Sequence, residues 1–160
     1  MNKMLLFITV SVLFISCSYF SKKQPGPTGS VEKINLMNVD RDFSKMSEEK
    51  GMKQAFLEYI DSNGVLLRPG HLPIIGADAI DYLIQQNDSG YILKWEPKNA
   101  SVAKSGELGY TYGVYALKPS QKDTIIYGTY VSIWKKEMNG SWKYVLDCGN
   151  EGIGNITIQE

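Results

Sequence analysis

Apolar and polar residues alternate along three consecutive stretches between residues 106 and 149. They read GELGYTYGVYALKP, TIIYGTYVSIWKKE and SWKYVLDCG, and they are rich in aromatic and β-branched residues. Alternation with a period of two is typical of strands that bury one face. Asn139-Gly140 lies between the second and third stretches and favours a tight type I′ turn. The second half of the chain is therefore predicted to form an antiparallel sheet.

Helical spacing of apolar residues precedes the sheet, from about Val39 to Asp61. Ser47, which two glutamates follow, is a candidate N-cap, so the segment is predicted to form two abutting helices or one kinked helix. Asn63-Gly64 is a stop signal for this helical segment.

The next segments complete the predicted order of elements. VLLRPGHLPIIG contains two prolines and predicts a small hairpin at the edge of a sheet. A compact third helix is predicted over Asp78 to Gln86, and YILKWEP then opens the main sheet. Helices that precede a run of strands predict an α+β domain, with the helices on one face of a curved antiparallel sheet.

The composition excludes several classes of function. Lys and Arg number 17 and Asp and Glu also 17, and no basic run exceeds two residues. This balance argues against nucleic acid as a partner. One histidine and two cysteines provide too few ligands for a metal site, so neither a metal nor another cofactor is expected.

The first residues have the features of a targeting signal. Lys3 precedes an almost unbroken apolar run from Met4 to Ile15, which is too short to span a bilayer. Phe14-Ile15-Ser16-Cys17 resembles the lipobox of bacterial lipoproteins. The resemblance implies that residues 1–16 are removed and that Cys17 carries lipid. One alternative is a cytosolic protein with an apolar N-terminal helix. Another, if Cys17 carries no lipid, is a disulfide between Cys17 and Cys148 in an oxidising compartment.

Residues 17–35 contain a segment rich in Ser, Pro and Gly, and they are predicted to form a flexible tether behind the lipidated cysteine. The serine after Cys17 resembles the sorting signal for the outer membrane. The expected location is therefore the bacterial cell envelope, with the domain anchored to the outer membrane and facing the periplasm. Residues 36–152 are assigned to the folded domain and residues 153–160 to a C-terminal tail.

Four segments together resemble the nuclear transport factor 2-like superfamily, and within it the ketosteroid isomerase-like and SnoaL-like branch of domains of unknown function. They are EKGMKQAFLEYIDSNGVLLRPG, IIGADAI, LKWEPKNASVAKSGELGYTYGVY and GTYVSIWKKEMNGSWKYVLDCGN. The resemblance implies a cystatin-like cone, in which a curved antiparallel sheet wraps around three N-terminal helices and leaves a pocket. It also implies homodimers that form through the outer face of the sheet.

Aromatic residues of the predicted sheet are candidates for the wall of that pocket. If the aromatic faces point inward, the cavity is lined by a set that could bind a small ligand through apolar contacts and phenol groups. The candidate ligand-binding residues are Trp95, Tyr110, Tyr112, Tyr130 and Trp134. The alternative is that these side chains form a packed core or a dimer interface.

Asp147 is the candidate catalytic base, with Tyr110 or Tyr112 as its acid partner, because ketosteroid isomerase-type chemistry needs a carboxylate and a phenol. Strict alternation, however, places Asp147 opposite the apolar face of its strand, where it would be solvated or part of an interface. Arg68 could bind a carboxylate ligand in a fork, and His71 could transfer protons. Both could equally be solvated loop residues.

Three hypotheses about function follow. The first is an envelope lipoprotein that binds a small apolar or amphipathic molecule in the cone. The second is an isomerase, cyclase or dehydratase that uses Asp147 with a tyrosine. The third is a structural or partner-binding module of an envelope complex.

Overall fold

A computed structural model describes residues 29–153 of the chain, so the lipobox, Cys17 and residues 154–160 lie outside the described part. The predicted sequence of helices, small hairpin, helix and strands is present. In chain order the elements are α1 (Gly29–Lys50), α2 (Met52–Tyr59), β1 (Ile60–Leu67), β2 (Ile74–Ile75), α3 (Ala77–Gln85), β3 (Tyr91–Val102), β4 (Leu108–Pro119), β5 (Ile126–Lys136) and β6 (Trp142–Glu151).

The six strands form one curved and open sheet in the order β2-β1-β6-β5-β4-β3. Neighbouring strands are antiparallel except β1 and β6, which run parallel; the long connection through β2, α3, β3, β4 and β5 allows this direction. Helices α1 and α2 pack against one face of the sheet, and α3 packs beside β1. The predicted α+β class, with three helices and a curved sheet, is confirmed.

Helix α1 begins at Gly29, about ten residues before the predicted helical segment and within the stretch assigned to the tether. Its buried positions follow one helical stripe: Glu32, Leu36, Asp40, Phe43, Ser44 and Ser47. Four of these six residues are polar, so the first turns of the helix lack the apolar periodicity that marks a helix in sequence. No helix within residues 29–153 combines the length and the apolarity needed to cross a membrane.

The boundary between α1 and α2 lies at Gly51, not at the predicted cap Ser47. Gly51 has a φ of 92°, a conformation that glycine adopts without steric cost. Ser47 remains inside α1, and its hydroxyl donates to the Leu93 carbonyl oxygen at 2.7 Å. Helix α2 then ends at Tyr59, and the residues around Asn63-Gly64 belong to β1.

Two serines of α1 close the exposed edge of the sheet at β3. The Ser44 hydroxyl donates to the Trp95 carbonyl and accepts from the Trp95 amide, each at 2.7 Å. Together with the bond from Ser47 to Leu93, these contacts satisfy backbone groups that would otherwise be free on an edge strand. The helix therefore takes the place of a seventh strand along this part of the edge and fixes α1 against β3.

The core is an aromatic cluster centred on Phe43 of α1. Its ring lies 4.6 Å from the ring of Trp95 and 4.8 Å from that of Phe56, both in edge-to-face contacts. Tyr144 stacks on it at 5.6 Å, and Trp134 approaches its edge at 5.9 Å. Because these rings come from α1, α2, β3, β5 and β6, the cluster joins the helices to the inner face of the sheet.

The turn between β5 and β6 differs from the predicted type I′ turn. Only Gly140 has a positive φ, of 87°, whereas type I′ needs two such residues. The Gly140 amide donates to the Glu137 carbonyl, and the Glu137 amide donates to the Ser141 carbonyl. This is the pattern of a three-residue hairpin loop with glycine in the left-handed position, while the Asn139 side chain accepts from Ser141.

Candidate functional site

A cavity of about 200 Å³ lies between α2 and the inner face of the sheet. Met52 and Phe56 of α2 and Leu93 and Trp95 of β3 form its apolar wall. Its charged and phenolic side chains are Arg68, Tyr115, Tyr130, Asp147 and Glu151. A mostly apolar concave site with a few converging polar groups is the usual form of a small-molecule site.

Asp147 reaches the inner face because β6 contains a β-bulge. Trp134 of β5 pairs with Tyr144, but the next pair joins Ile133 to Leu146, so β6 has one extra residue at this point. The extra residue reverses the alternation, and Asp147 therefore shares a face with Tyr144. The alternation-based expectation of a solvated or interface Asp147 is wrong, since only 6% of its surface is exposed.

The Asp147 carboxylate is held by two side chains. Arg68 Nη2 donates to Oδ1 at 2.7 Å, and the Ser132 hydroxyl donates to Oδ2 at 2.7 Å. Arg68 Nη1 also donates to the backbone carbonyls of Asp147 and Leu67. Both terminal nitrogens of the guanidinium are therefore engaged by the protein, one by the carboxylate and one by backbone carbonyls, which argues against the expectation that Arg68 binds a ligand carboxylate in a fork.

A second carboxylate, Asp40 of α1, lies behind the cavity wall with 0% of its surface exposed. Trp95 Nε1 donates to its Oδ1 at 2.8 Å, and the Tyr130 hydroxyl donates to its Oδ2 at 2.7 Å. Asp40 was not among the site residues predicted from the sequence. The available signal was its spacing, because it stands between Leu36 and Phe43 on the buried stripe, where an aspartate is unfavourable unless it is hydrogen-bonded.

Burial changes the ionisation of this pair. Loss of hydration raises the pKa of Asp40 to about 6, although the hydrogen bonds from Tyr130 and Trp95 oppose the shift. Burial, and then the charge of Asp40, also raise the pKa of Tyr130 above its usual value. At neutral pH the pair is therefore a carboxylate that accepts a hydrogen bond from a neutral phenol.

The raised pKa predicts how Asp40 affects stability as a function of pH. The folded state binds the Asp40 proton more tightly than the unfolded state, in which the pKa of this carboxyl group is near 3.8. The stability contributed by this group therefore falls as pH rises from about 4 to above 6. Between pH 4.5 and 7.5 the free energy of unfolding of the wild type should fall by about 2 kcal/mol relative to that of Asp40→Asn, in which residue 40 cannot titrate. Urea unfolding of both proteins across this range measures the difference, and a difference that is constant or grows in the opposite direction would contradict the shift.

Tyr110 and Tyr112 face away from the cavity, so their predicted place in its wall is wrong. They pair across β4 and β5 with Ile133 and Val131, and their surfaces are 45% and 44% exposed. Directly paired residues share a face of the sheet. Because Gly113 of β4 pairs with Tyr130, the inner position of Tyr130 requires Tyr110 and Tyr112, at the alternate positions, to point outward, whereas Tyr115 shares the inner face and lines the cavity.

The remaining predicted residues occupy different environments. Trp95 and Tyr130 line the cavity as expected. Trp134, also predicted to line it, is instead fully buried in the core, where its indole N–H donates to Thr111 Oγ1 at 2.8 Å. His71 is exposed in the loop after β1, outside the cavity wall, with its ring 5.4 Å from the ring of Tyr82.

A larger depression of about 580 Å³ lies at the outer side of α1 and β3. Four of its charged side chains pair with one another, Arg41 with Glu96 and Lys94 with Glu48, and both pairs are exposed. Solvated ion pairs of this kind provide little selectivity or stability. We therefore place the candidate site in the smaller cavity, where the polar groups are buried.

Within residues 29–153, no cluster of histidine, cysteine, aspartate and glutamate side chains is arranged to hold a metal ion. The chemistry available in the cavity is that of Asp147, Arg68 and Tyr130. A carboxylate, a guanidinium and a phenol can orient a polar group of a ligand, and the apolar wall can bury the rest of it.

The curved sheet, the helices on its inner face and the cavity between them define a nuclear transport factor 2-like, cystatin-like fold. Among solved structures, the chain is similar to a nuclear transport factor 2-like protein with a cystatin-like fold from Novosphingobium aromaticivorans, with a TM-score of 0.62 and 13% identity over 79% of this chain and 86% of that one. It is also similar to a putative ketosteroid isomerase from Parabacteroides distasonis, with a TM-score of 0.59 and 14% identity over 82% and 93%.

An epoxide hydrolase from M. tuberculosis, described as LEH-like, has a TM-score of 0.53 and 10% identity over 76% of this chain and 86% of that one. No family model and no curated protein matches the sequence. At these identities the similarity shows the fold alone. The function must therefore be argued from the cavity.

Proposed function

We propose that this protein binds a small apolar or amphipathic molecule in the cavity between α2 and the sheet. The observation that carries the proposal is an apolar wall around a buried and internally satisfied Arg68–Asp147 pair. Burial of apolar ligand surface supplies affinity, and a few fixed polar groups orient the ligand. The site needs no rearrangement to form, because Ser132 and Arg68 already hold Asp147 in place.

The test is native mass spectrometry of the full chain purified from its own membranes. A bound small molecule should be released from the wild type and from Gly90→Leu, since nothing lies near Gly90 in its loop. It should be absent from Gly149→Leu, because this glycine lines the cavity and its added side chain starts at an ordinary 3.6 Å from Tyr115. Absence of a bound molecule from the wild type, or equal retention by Gly149→Leu, would count against the proposal.

A second candidate is catalysis of the isomerase, cyclase or dehydratase type. The observation in its favour is that a buried carboxylate, Asp147, and a phenol, Tyr115, line one cavity. Tyr115 replaces Tyr110 and Tyr112 as the acid in this hypothesis, since both of those face outward and Tyr130 donates its hydrogen to Asp40. In a screen of carbonyl and epoxide substrates, Asp147→Asn should abolish any turnover that the wild type shows. Turnover that is unchanged in this variant would remove the mechanism.

The envelope location is also a proposal, and it is based on the lipobox at Phe14-Ile15-Ser16-Cys17. Lipid on Cys17 would hold the domain at the outer membrane on the periplasmic side. The full chain should therefore fractionate with membranes and incorporate labelled fatty acid, and Cys17→Ala should lose the label. Labelling that persists in Cys17→Ala would contradict the anchor.

Homodimerisation through the outer face of the sheet completes the proposal. This face exposes a contiguous apolar patch that includes Leu108, Tyr110 and Tyr112, and the two tyrosine rings stack at 6.5 Å. Exposed patches of this kind commonly mark an interface. Crosslinking in membranes should give self-dimers that Tyr112→Glu weakens. Crosslinks only to other envelope proteins would favour the partner-binding hypothesis instead.

A further inference from the structure

Two aromatic side chains of the cavity have no hydrogen-bond donor left for a ligand. An indole and a phenol each carry a single polar hydrogen. Trp95 donates its hydrogen to Asp40 at 2.8 Å, and Tyr130 donates its own to the same carboxylate at 2.7 Å. Asp40 is fully buried and accepts both bonds, so it holds both hydrogens on the side of α1. Toward a ligand, Tyr130 offers only the lone pairs of its oxygen.

The other buried oxygen group of the cavity is also an acceptor. Asp147 receives one bond on each carboxylate oxygen, from Arg68 and from Ser132. Each oxygen has a second lone pair, so the group can accept again. Arg68 is largely committed, because its two terminal nitrogens donate to Asp147 and to the carbonyl of Leu67. Among the buried side chains of the wall, the spare hydrogen-bonding capacity is therefore mainly that of an acceptor. The phenol of Tyr115 also lines the cavity, but it is partly exposed, so water can accept its hydrogen.

The charges of the cavity favour a neutral ligand. Arg68 and Asp147 neutralise each other at 2.7 Å, so an anion would have to compete with Asp147 for the guanidinium. Glu151 at the cavity and Asp40 behind its wall would repel that anion further. A cation would gain little from Asp147, because the guanidinium already lies against it. The free energy needed to move either ion out of water would therefore exceed the stabilisation that the cavity provides.

We propose that the cavity selects neutral apolar molecules that carry a hydroxyl group, an alcohol or a phenol, over the corresponding ketone or carboxylate. The hydroxyl donates to the free lone pairs of Asp147 or Tyr130. A ketone places an acceptor against acceptors and leaves them unpaired, which is the arrangement that buried polar sites reject most strongly. This inference rests on the proposed ligand-binding function and specifies its ligand class.

Three probes with one carbon skeleton test the proposal: 1-indanol, 1-indanone and indane-1-carboxylate. Calorimetric titration of the full chain in nanodiscs, with empty nanodiscs as the blank, gives each affinity. At pH 7.5 Asp40, with a pKa of about 6, is mostly ionised. We expect 1-indanol to bind at least about tenfold more tightly than the other two, as one well-formed hydrogen bond allows. Equal or stronger binding of 1-indanone overturns this inference alone, whereas no binding of any probe overturns the proposed function as well.

Asp40→Asn tests the hydrogen-bond polarity directly. The new amide oxygen can accept from Trp95 while its N–H donates to the Tyr130 oxygen, which frees the phenol hydrogen for the cavity. The ratio of 1-indanol affinity to 1-indanone affinity should then fall at least about threefold, a change that a purely structural role would not produce. Asp61→Asn is the matched control, because Asp61 is a buried aspartate that pairs with Lys135 outside the cavity, and its ratio should equal that of the wild type.

Asp147→Asn provides a second and independent change, since it replaces an acceptor of the cavity with a group that can donate. If Asp40→Asn does not fold, which circular dichroism would reveal, Asp147→Asn still tests the proposal. A lower alcohol-to-ketone ratio in either folded variant supports the proposal. An unchanged ratio in both variants overturns it.

Discussion

Arg68→Met is expected to lower the free energy of unfolding by about 4 kcal/mol, which urea titration at pH 7 would measure. The substitution keeps an unbranched apolar stem but removes the cation that lies 2.7 Å from the Asp147 carboxylate. Asp147 is buried and would keep only the Ser132 hydroxyl as a side-chain partner. Removal of one partner of a buried ion pair is costly because the other charge stays in a medium of low polarity.

The control for this prediction is Arg41→Met. Arg41 also forms an ion pair, with Glu96 at 2.9 Å, but both side chains are exposed, so its loss should cost less than about 1 kcal/mol. The double variant Arg68→Met/Asp147→Leu should recover most of the stability, because it removes both charges and leaves none unpaired. A cost for Arg68→Met as small as that of Arg41→Met would show that Asp147 is well solvated, and it would weaken the case for a closed cavity.

The fold class could be predicted from sequence because its signals are local. Alternation along β4, β5 and β6 and the paired prolines around β2 identify the elements and their order. The face of each strand that meets the helices is not a local property. It depends on register, and here the pairing of Gly113 with Tyr130 decides it. The aromatic content of β4 suggested the opposite face, and so Tyr110 and Tyr112 were assigned wrongly to the cavity wall.

The place of Asp147 illustrates a second limit. A bulge adds one residue between two pairs of the β5–β6 ladder and reverses every inward and outward assignment beyond it. Nothing in the local sequence around Val145 identifies such an insertion. The residue type was therefore a better guide to the site than its position in the alternation.

The polar stripe of α1 accounts for the part of the site that the sequence analysis missed. A helix is recognised by its apolar spacing, but the buried face of α1 carries Glu32, Asp40, Ser44 and Ser47 among its apolar residues. Each of these polar groups has a partner elsewhere in the chain, such as Lys136 for Glu32 at 2.9 Å. The spacing becomes interpretable only when these partners are known, because burial of unpaired polar groups is unfavourable.

Gly113→Ala is the second substitution with a large expected effect. It should lower the free energy of unfolding by at least about 3 kcal/mol or prevent folding. An added Cβ would lie 2.1 Å from the Glu96 carbonyl oxygen and 2.9 Å from Cε1 of Tyr130. Neither neighbour can move easily. The carbonyl belongs to β3, which is paired along β4, and the Tyr130 ring is held by its hydrogen bond to Asp40.

Gly149→Ala is the matched control for Gly113→Ala, because it adds the same methyl group to a glycine on the same face of the sheet. Its nearest neighbour would be Tyr115 at 3.6 Å, an ordinary contact, so a change within about 1 kcal/mol is expected. Urea unfolding and near-ultraviolet circular dichroism compare the two variants. If both lose the same stability, glycine at 113 serves only the flexibility of the chain. A selective loss in Gly113→Ala shows instead that close approach of β3 and Tyr130 requires a residue without a side chain, which fixes the face of β4 that meets the cavity.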